Sequence, residues 1–332
     1  MIGSSSARSL VAFRLSWLVL GLAACSPYGF SKEITAFSQG VDSLSSGFAD
    51  GYAQLAADRE AVLELDLTGA RAPVAISPSC SDARINAPCL VFKRGAAEPK
   101  ATPIEGLRGP TIDALTVLGD YAHALAAVSN AGDRADFDKA VAQLSGSIGQ
   151  LAQFADAAAP GTSAAAPAVV SFAGWVFGTA LDQQRFDSLK AAVTAAGTAP
   201  PGKDSPIAAV TKRLGAGLVA LRDQRAAVAQ QEVDRLSRRL QPSLSDSDYR
   251  QGLSDLKAAV AVQYGLTQSD PTETATALAQ AHDALLAALE DPKRNYPALL
   301  KAVNDFASQA TALRNALAAA GAPTPSASQG GS

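Results

Sequence analysis

Apolar residues recur at steps of three, four and seven along most of this chain, with polar positions where the far side of a helix would lie. The first stripe is Ile34, Phe37, Val41, Leu44, Phe48, Tyr52, Leu55 and Val62, which predicts a helix of about eight turns. Within it Ile34, Val41, Phe48, Leu55 and Val62 sit on a strict seven-residue repeat. Such a repeat turns one seam toward a partner along its whole length, so this helix is expected to pack against another long one.

At Leu63 the period becomes two: Leu63, Leu65 and Leu67 alternate with Glu64 and Asp66, and Thr68-Gly69 offers a turn. Short apolar runs follow at Val74 to Ile76 and Leu90 to Phe92, among Pro73, Pro78, Pro88, Pro99, Pro103 and Pro110, which exclude a helix between them. The economical expectation is a small β-ribbon, residues 63–109, inserted between two long helices. Such an insertion serves either as a cap over the end of a bundle or as a recognition tip, because binding concentrates in loops held on rigid scaffolds. On the second reading Val74, Ile76, Leu90, Val91 and Phe92 are the candidate partner contacts.

Helical spacing resumes with Ile112, Leu115, Leu118, Leu125 and Val128, breaks at Asn130-Ala-Gly-Asp133, and returns with Phe137, Val141, Leu144, Ile148 and Leu151. The pattern leaves open whether that break is a kink or a reversal. From Ala157 to Leu181 no residue is charged, a length sufficient to cross a bilayer. Pro160-Gly161 and Pro167 interrupt the stretch, so Ala168 to Leu181 reads as a buried core helix, with Gly174 and Gly178 allowing close helix contact. Later stripes carry Phe186, Leu189 and Val193; then Ile207, Leu214, Leu221 and Val228; then Tyr249, Leu253, Leu256 and Val260; then Leu278, Leu285 and Leu289; and finally Tyr296, Leu299, Val303, Phe306, Ala310, Leu313 and Leu317. Ser205-Pro206, Ser245 and Asp270-Pro271 are helix-start signals, and Asp291-Pro292 breaks one helix from the next. Arg222, Asp223, Arg225, Glu232, Asp234, Arg235, Arg238 and Arg239 mix both signs and read as a solvated face. The expected fold is therefore mainly α, an elongated antiparallel helical bundle over residues 34–320. The first, the last and the Ile207 helices are its neighbours, crossing at ~20°. Residues 321–332 lack apolar content and are expected to be disordered.

The first 25 residues follow a different pattern. Arg8 and Arg14 precede an apolar run from Leu15 to Ala24, too short to span a bilayer as a helix and of signal-peptide length. Leu22-Ala23-Ala24-Cys25 resembles the lipobox of bacterial lipoproteins. The resemblance covers residues 1–26 and implies that Cys25 takes a diacylglyceryl group, that residues 1–24 are cut away and that the new amine is acylated. Ser26, where an Asp would suggest inner-membrane retention, implies the outer membrane, facing the periplasm. Two or three acyl chains, at ~0.8 kcal/mol per buried methylene, attach a protein durably without help from its surface. Residues 25–33 would then be the tether.

Export changes the meaning of the remaining cysteines. Cys80 and Cys89 lie in the Pro-rich insertion, and in an oxidising compartment a disulfide stapling its turn is the favoured reading. A metal site would want closer thiols and nearby His or Cys. Cleavage also removes Arg8 and Arg14, leaving 26 basic against 31 acidic residues, a net charge near −5. That balance, without a basic tract, argues against a nucleic-acid partner.

Candidate chemistry is sparse. His123 and His282 are the only histidines, neither has a metal-ligand partner four residues on, and no zinc-protease, nucleophile-elbow, phosphate-loop or dinucleotide motif occurs. Each histidine reads as a satisfied side chain between helices, and Asp246 with Asp248 as a capping pair. No catalytic residue, metal, small-molecule substrate or cofactor is expected beyond the acyl lipid on Cys25. The expectation is a membrane-tethered structural or interaction lipoprotein of the bacterial envelope that binds a protein partner, with the insertion as the contact. The alternative is a membrane-active, pore-forming-like helical protein that inserts the ribbon or residues 168–181.

Overall fold

The computed structural model describes residues 30–70, 74–76, 91–95, 103–158, 181–199 and 201–319. The signal segment, Cys25, Cys80, Cys89, Leu90, the core helix expected over 168–181 and the tail 321–332 lie outside these residues, save for Leu181 itself. Among the described residues the protein is a mainly α bundle of eight helices: α1 Ser31–Ala70, α2 Pro103–Asn130, α3 Arg134–Ala158, α4 Leu181–Gly197, α5 Pro206–Arg239, α6 Asp246–Gln268, α7 Pro271–Glu290 and α8 Pro292–Ala318. Two strands, β1 Val74–Ile76 and β2 Val91–Lys93, pair antiparallel with Val74 opposite Lys93 and Ile76 opposite Val91.

The stripes build the core. Ile34, Val41, Phe48 and Leu55 of the α1 repeat are buried together with Phe37 and Leu44, and across from them lie Val303, Phe306, Ala310, Leu313 and Leu317 of α8. These two helices touch along most of α8, and their pairings rise together in number: Tyr296 with Glu33, Phe306 with Phe37 at 5.6 Å between rings, then Leu317 with Gly51. Helices α1 and α8 are therefore parallel, where an antiparallel neighbour was expected. The connectivity is the reason. α6 and α7 both run against α5, with Leu240 near Gly252, Gln230 bonded to Gln263, Arg222 bonded to Ser269 and Ala275 near Gly215. They lie end to end, so α8 turns back in the direction of α1. Helix α5 shares that direction, with Leu221 near Gly51 and Arg225 bonded to Asp58. Helix α2 runs opposite to α1, pairing His123 with Asp42 and Arg108 with Tyr52.

Close approach of α1 to its neighbours depends on glycine. A Cβ at Gly47 would stand 2.8 Å from the Arg314 Cα, and one at Gly51 would stand 2.9 Å from the Leu317 Cβ. Such distances are too short for any side chain, so bare backbone lets the helices meet.

Several boundaries differ from the pattern. Helix α1 begins at Ser31, ahead of the expected tether end, because Phe30 is already packed against Phe186 and Tyr296, at 6.4 Å and 6.1 Å between rings. It continues to Ala70, through the period-two run that was read as strand. Leu and Glu are good helix formers and the run lacks a β-branched residue until Thr68, so a short alternation does not outweigh propensity. Helix α2 starts at Pro103 and passes through Pro110. Gly109 before it has no Cβ to meet the proline ring, and the Thr111 hydroxyl donates to the Leu107 carbonyl at 2.6 Å. The insertion is thus bounded by Ala70 and Pro103 rather than by 63 and 109. The break at Asn130 to Asp133 is a reversal: Asp133 caps α3 through the Asp136 amide, and α3 packs back on α2.

Ile112, expected in the stripe, is 42% exposed, while Tyr121 and Ala122 are buried in its place. The helix-start signals hold. Ser205, Ser245, Asp270 and Asp291 each accept a backbone amide of the helix they open, followed in three cases by proline.

Candidate functional site

The residues named as candidate contacts separate on the structure. The β1–β2 register places Ile76 opposite Val91, Val74 opposite Lys93 and Phe92 opposite Ala75, whereas Leu90 and the cysteines fall outside the described residues. The pair begins four residues beyond the C-terminus of α1, a helix of 40 residues. At 1.5 Å per residue α1 is ~60 Å long. Its N-terminus follows Cys25 by six residues. In sequence, α1 thus occupies most of the interval between Cys25 and the paired strands.

The N-terminal end of that helix is built from aromatic and carboxylate contacts. The Tyr296 hydroxyl donates to Glu33 Oε1 at 2.7 Å, and this bond, more than burial, holds the phenol pKa above its ordinary value. Glu33 is buried and its Oε2 has no partner. Beside it Arg185 is buried, ion-paired with Asp182 at 3.2 Å and donating to the Ala131 carbonyl at the α2–α3 turn.

The two histidines occupy opposite environments. His282 on α7 is fully buried, with Nε2 3.0 Å from the Tyr121 hydroxyl of α2 and Cε1 3.2 Å from where a Gly197 Cβ would stand. Burial pushes its pKa down to about 4 and that of Tyr121 up, so both are neutral at pH 7. Its Nδ1 has no partner, so either tautomer leaves one polar atom unpaired. A histidine closed in between helices meets no substrate and acts as a packing group with one polar bond. His123 lies on the surface, 2.8 Å from Asp42 Oδ1, both groups more than half exposed. It borders a groove of about 460 Å³ between α2 and α3, floored by Ala124, Ala127, Gly146 and Ser147 and edged by Asp120, Gln143 and Gln150. An exposed pair of this kind contributes little to stability, and the groove beside it is open to solvent.

The strongest polar constellation was missed by pattern reading. Arg225, placed above on a solvated face, is 1% exposed and reaches three acceptors. It donates to Asp58 Oδ2 at 3.1 Å, to the Ala319 carbonyl at 2.7 Å and to the Leu317 carbonyl. Burial lowers the guanidinium pKa, and Asp58 opposes that shift. The last carbonyls of a helix lack internal donors and carry the negative end of its dipole. Arg225 therefore caps α8 from α5 and ties both to α1. Its position four after Leu221 and seven after Leu218 was the available signal.

Among the described residues no three His, Cys, Asp or Glu side chains are placed to hold a metal ion, and no helix is long and apolar enough to cross a membrane. Comparison with known proteins gives no match: no family model, no curated protein and no solved structure aligns with this chain.

Proposed function

We propose that this chain is a lipid-anchored structural or interaction protein of the bacterial envelope, a helical post that carries the segment between Ala70 and Pro103 to a protein partner. The observation behind this reading is α1: it starts six residues after the lipobox cysteine, runs ~60 Å, and ends four residues before the paired strands. Stiffness comes from its packing on α2, α5 and α8. Cys25 carries the acyl chains, in the outer membrane facing the periplasm. Cys80 and Cys89 close the turn between β1 and β2 as a disulfide, which limits the conformations the tip loses on binding. Val74, Ile76, Leu90, Val91 and Phe92 supply the apolar contact. The protein works through position and reach rather than through catalysis or a bound cofactor.

The experiment is a variant with residues 71–102 replaced by a short Gly-Ser linker, compared with the full chain in intact cells by photo-crosslinking from position 92. The reading expects the variant to keep its helical circular dichroism and cooperative unfolding, and the full chain to give a discrete adduct that disappears when unlabelled protein competes. Absence of an adduct removes the tip role. Loss of folding in the variant makes the segment a cap. The membrane-active alternative would insert the ribbon or residues 168–181; dye release from liposomes by a Cys25→Ser chain would support it in place of the post.

A further inference from the structure

We infer that the α1–α8 end of the bundle is seated on the phospholipid headgroup layer, with the first two turns of α8 as the contacting face. The inference rests on the lipid-anchor reading of Cys25. Five peptide steps separate Cys25 from Phe30, and Phe30 is buried in the bundle. Fully extended, five residues span ~17 Å, so an acylated Cys25 holds this end at the bilayer surface. The N-terminus of α8 lies beside that of α1 because Tyr296 packs on Phe30 and donates to Glu33. Lys293, Tyr296, Pro297 and Leu300 then share one helical face at steps of three, one and three, all exposed, with Tyr296 at 37% and Leu300 at 43%.

A tyrosine, an exposed leucine and a basic residue on one helix face form the pattern that settles at a membrane interface, where an amphipathic ring and a long cationic stem meet headgroups. Exposed Glu290 and Asp291 balance Lys293 and Arg294, so the contact is interfacial rather than a cationic attraction, and zwitterionic headgroups suffice.

The test places benzoylphenylalanine at Leu300 in one variant and at Tyr264 in another, each as full-length chain extracted from membranes and reconstituted in phosphatidylethanolamine/phosphatidylglycerol vesicles. Tyr264 is 62% exposed on α6, more than about 40 Å along α1 from Phe30. The position 300 probe is expected to capture phospholipid at least ~10-fold more than the position 264 probe. The N-terminal peptide of the same samples is weighed for acyl chains. Acylated Cys25 with equal lipid capture at both positions, or with capture of a second protein copy at 300, overturns the seat and leaves the anchor. Unacylated Cys25 overturns the anchor, and the seat with it.

Discussion

Arg225 and His282 show how large polar side chains are kept in a mainly apolar core. Truncating Arg225 to Ala leaves Asp58 and the last α8 carbonyls without their donor inside a buried gap, and removing one partner of a buried ion pair is costly. Urea unfolding of Arg225→Ala is expected to show a loss of about 2–4 kcal/mol. Arg225→Lys should recover only part of it, since one ammonium does not reproduce a planar fork across three acceptors; a loss below about 1 kcal/mol would contradict the capping role. His282 gives a pH signature. Its folded pKa lies near 4 against an ordinary value of 6.5, so the unfolded chain binds the extra proton first. Its contribution to stability is complete above pH 6.5, falls as pH drops toward 4 and is constant below, a loss of about 3 kcal/mol. Denaturant titrations across that window should show it, and a Tyr121→Phe/His282→Leu double variant should have a shallower slope by about one proton. Equal slopes would place the histidine in contact with water. That each histidine bonds a side chain of another helix fits its position beside a stripe. Which one is buried depends on how α7 and α2 meet, and no local spacing carries that.

At the level of elements, the hydrophobic period located nearly every helix, while boundaries followed chemistry that the period does not contain. Capping residues were readable because Ser, Asp and Pro act on their own first turn. The continuation of α1 through Leu63, Leu65 and Leu67 was not, because an alternation of three residues fits strand and helix alike. The glycines of α1 were available and unread: Gly40, Gly47 and Gly51 lie seven and four apart, and all three face α8. This predicts opposite outcomes for one substitution. Gly47→Ala must push α8 away and should cost about 1–3 kcal/mol despite better helix propensity. Gly149→Ala on α3 meets nothing within 4 Å and should stabilise by about 0.5–1 kcal/mol. Thermal unfolding of the two proteins side by side checks both; a stabilised Gly47→Ala would remove the close α1–α8 contact from the account. Helix α6 stands apart from this rule. Of its 23 residues only Ala259 and Leu266 are buried, and the Tyr249 and Val260 expected in its core stripe are each 43% exposed.

For the whole molecule, fold class came from periodicity, but the direction of the helices did not. The end-to-end run of α6 and α7 along α5 lets α8 return parallel to α5, and α5 is itself parallel to α1. One consequence is that the N-termini of α1 and α8 share an end, and α1 begins six residues after Cys25 in sequence. On the proposed reading the anchor therefore lies close in sequence to this end of the bundle, and the paired strands follow only after all of α1. The proposed anchoring and the membrane seat both depend on what happens at Cys25. The direct measurement is the mass of the N-terminal peptide of the protein extracted from bacterial membranes. The account predicts a chain that begins at Cys25 and carries a diacylglyceryl group with a further acyl chain on its amine; a chain that retains residues 1–24, or an unmodified Cys25, would contradict it.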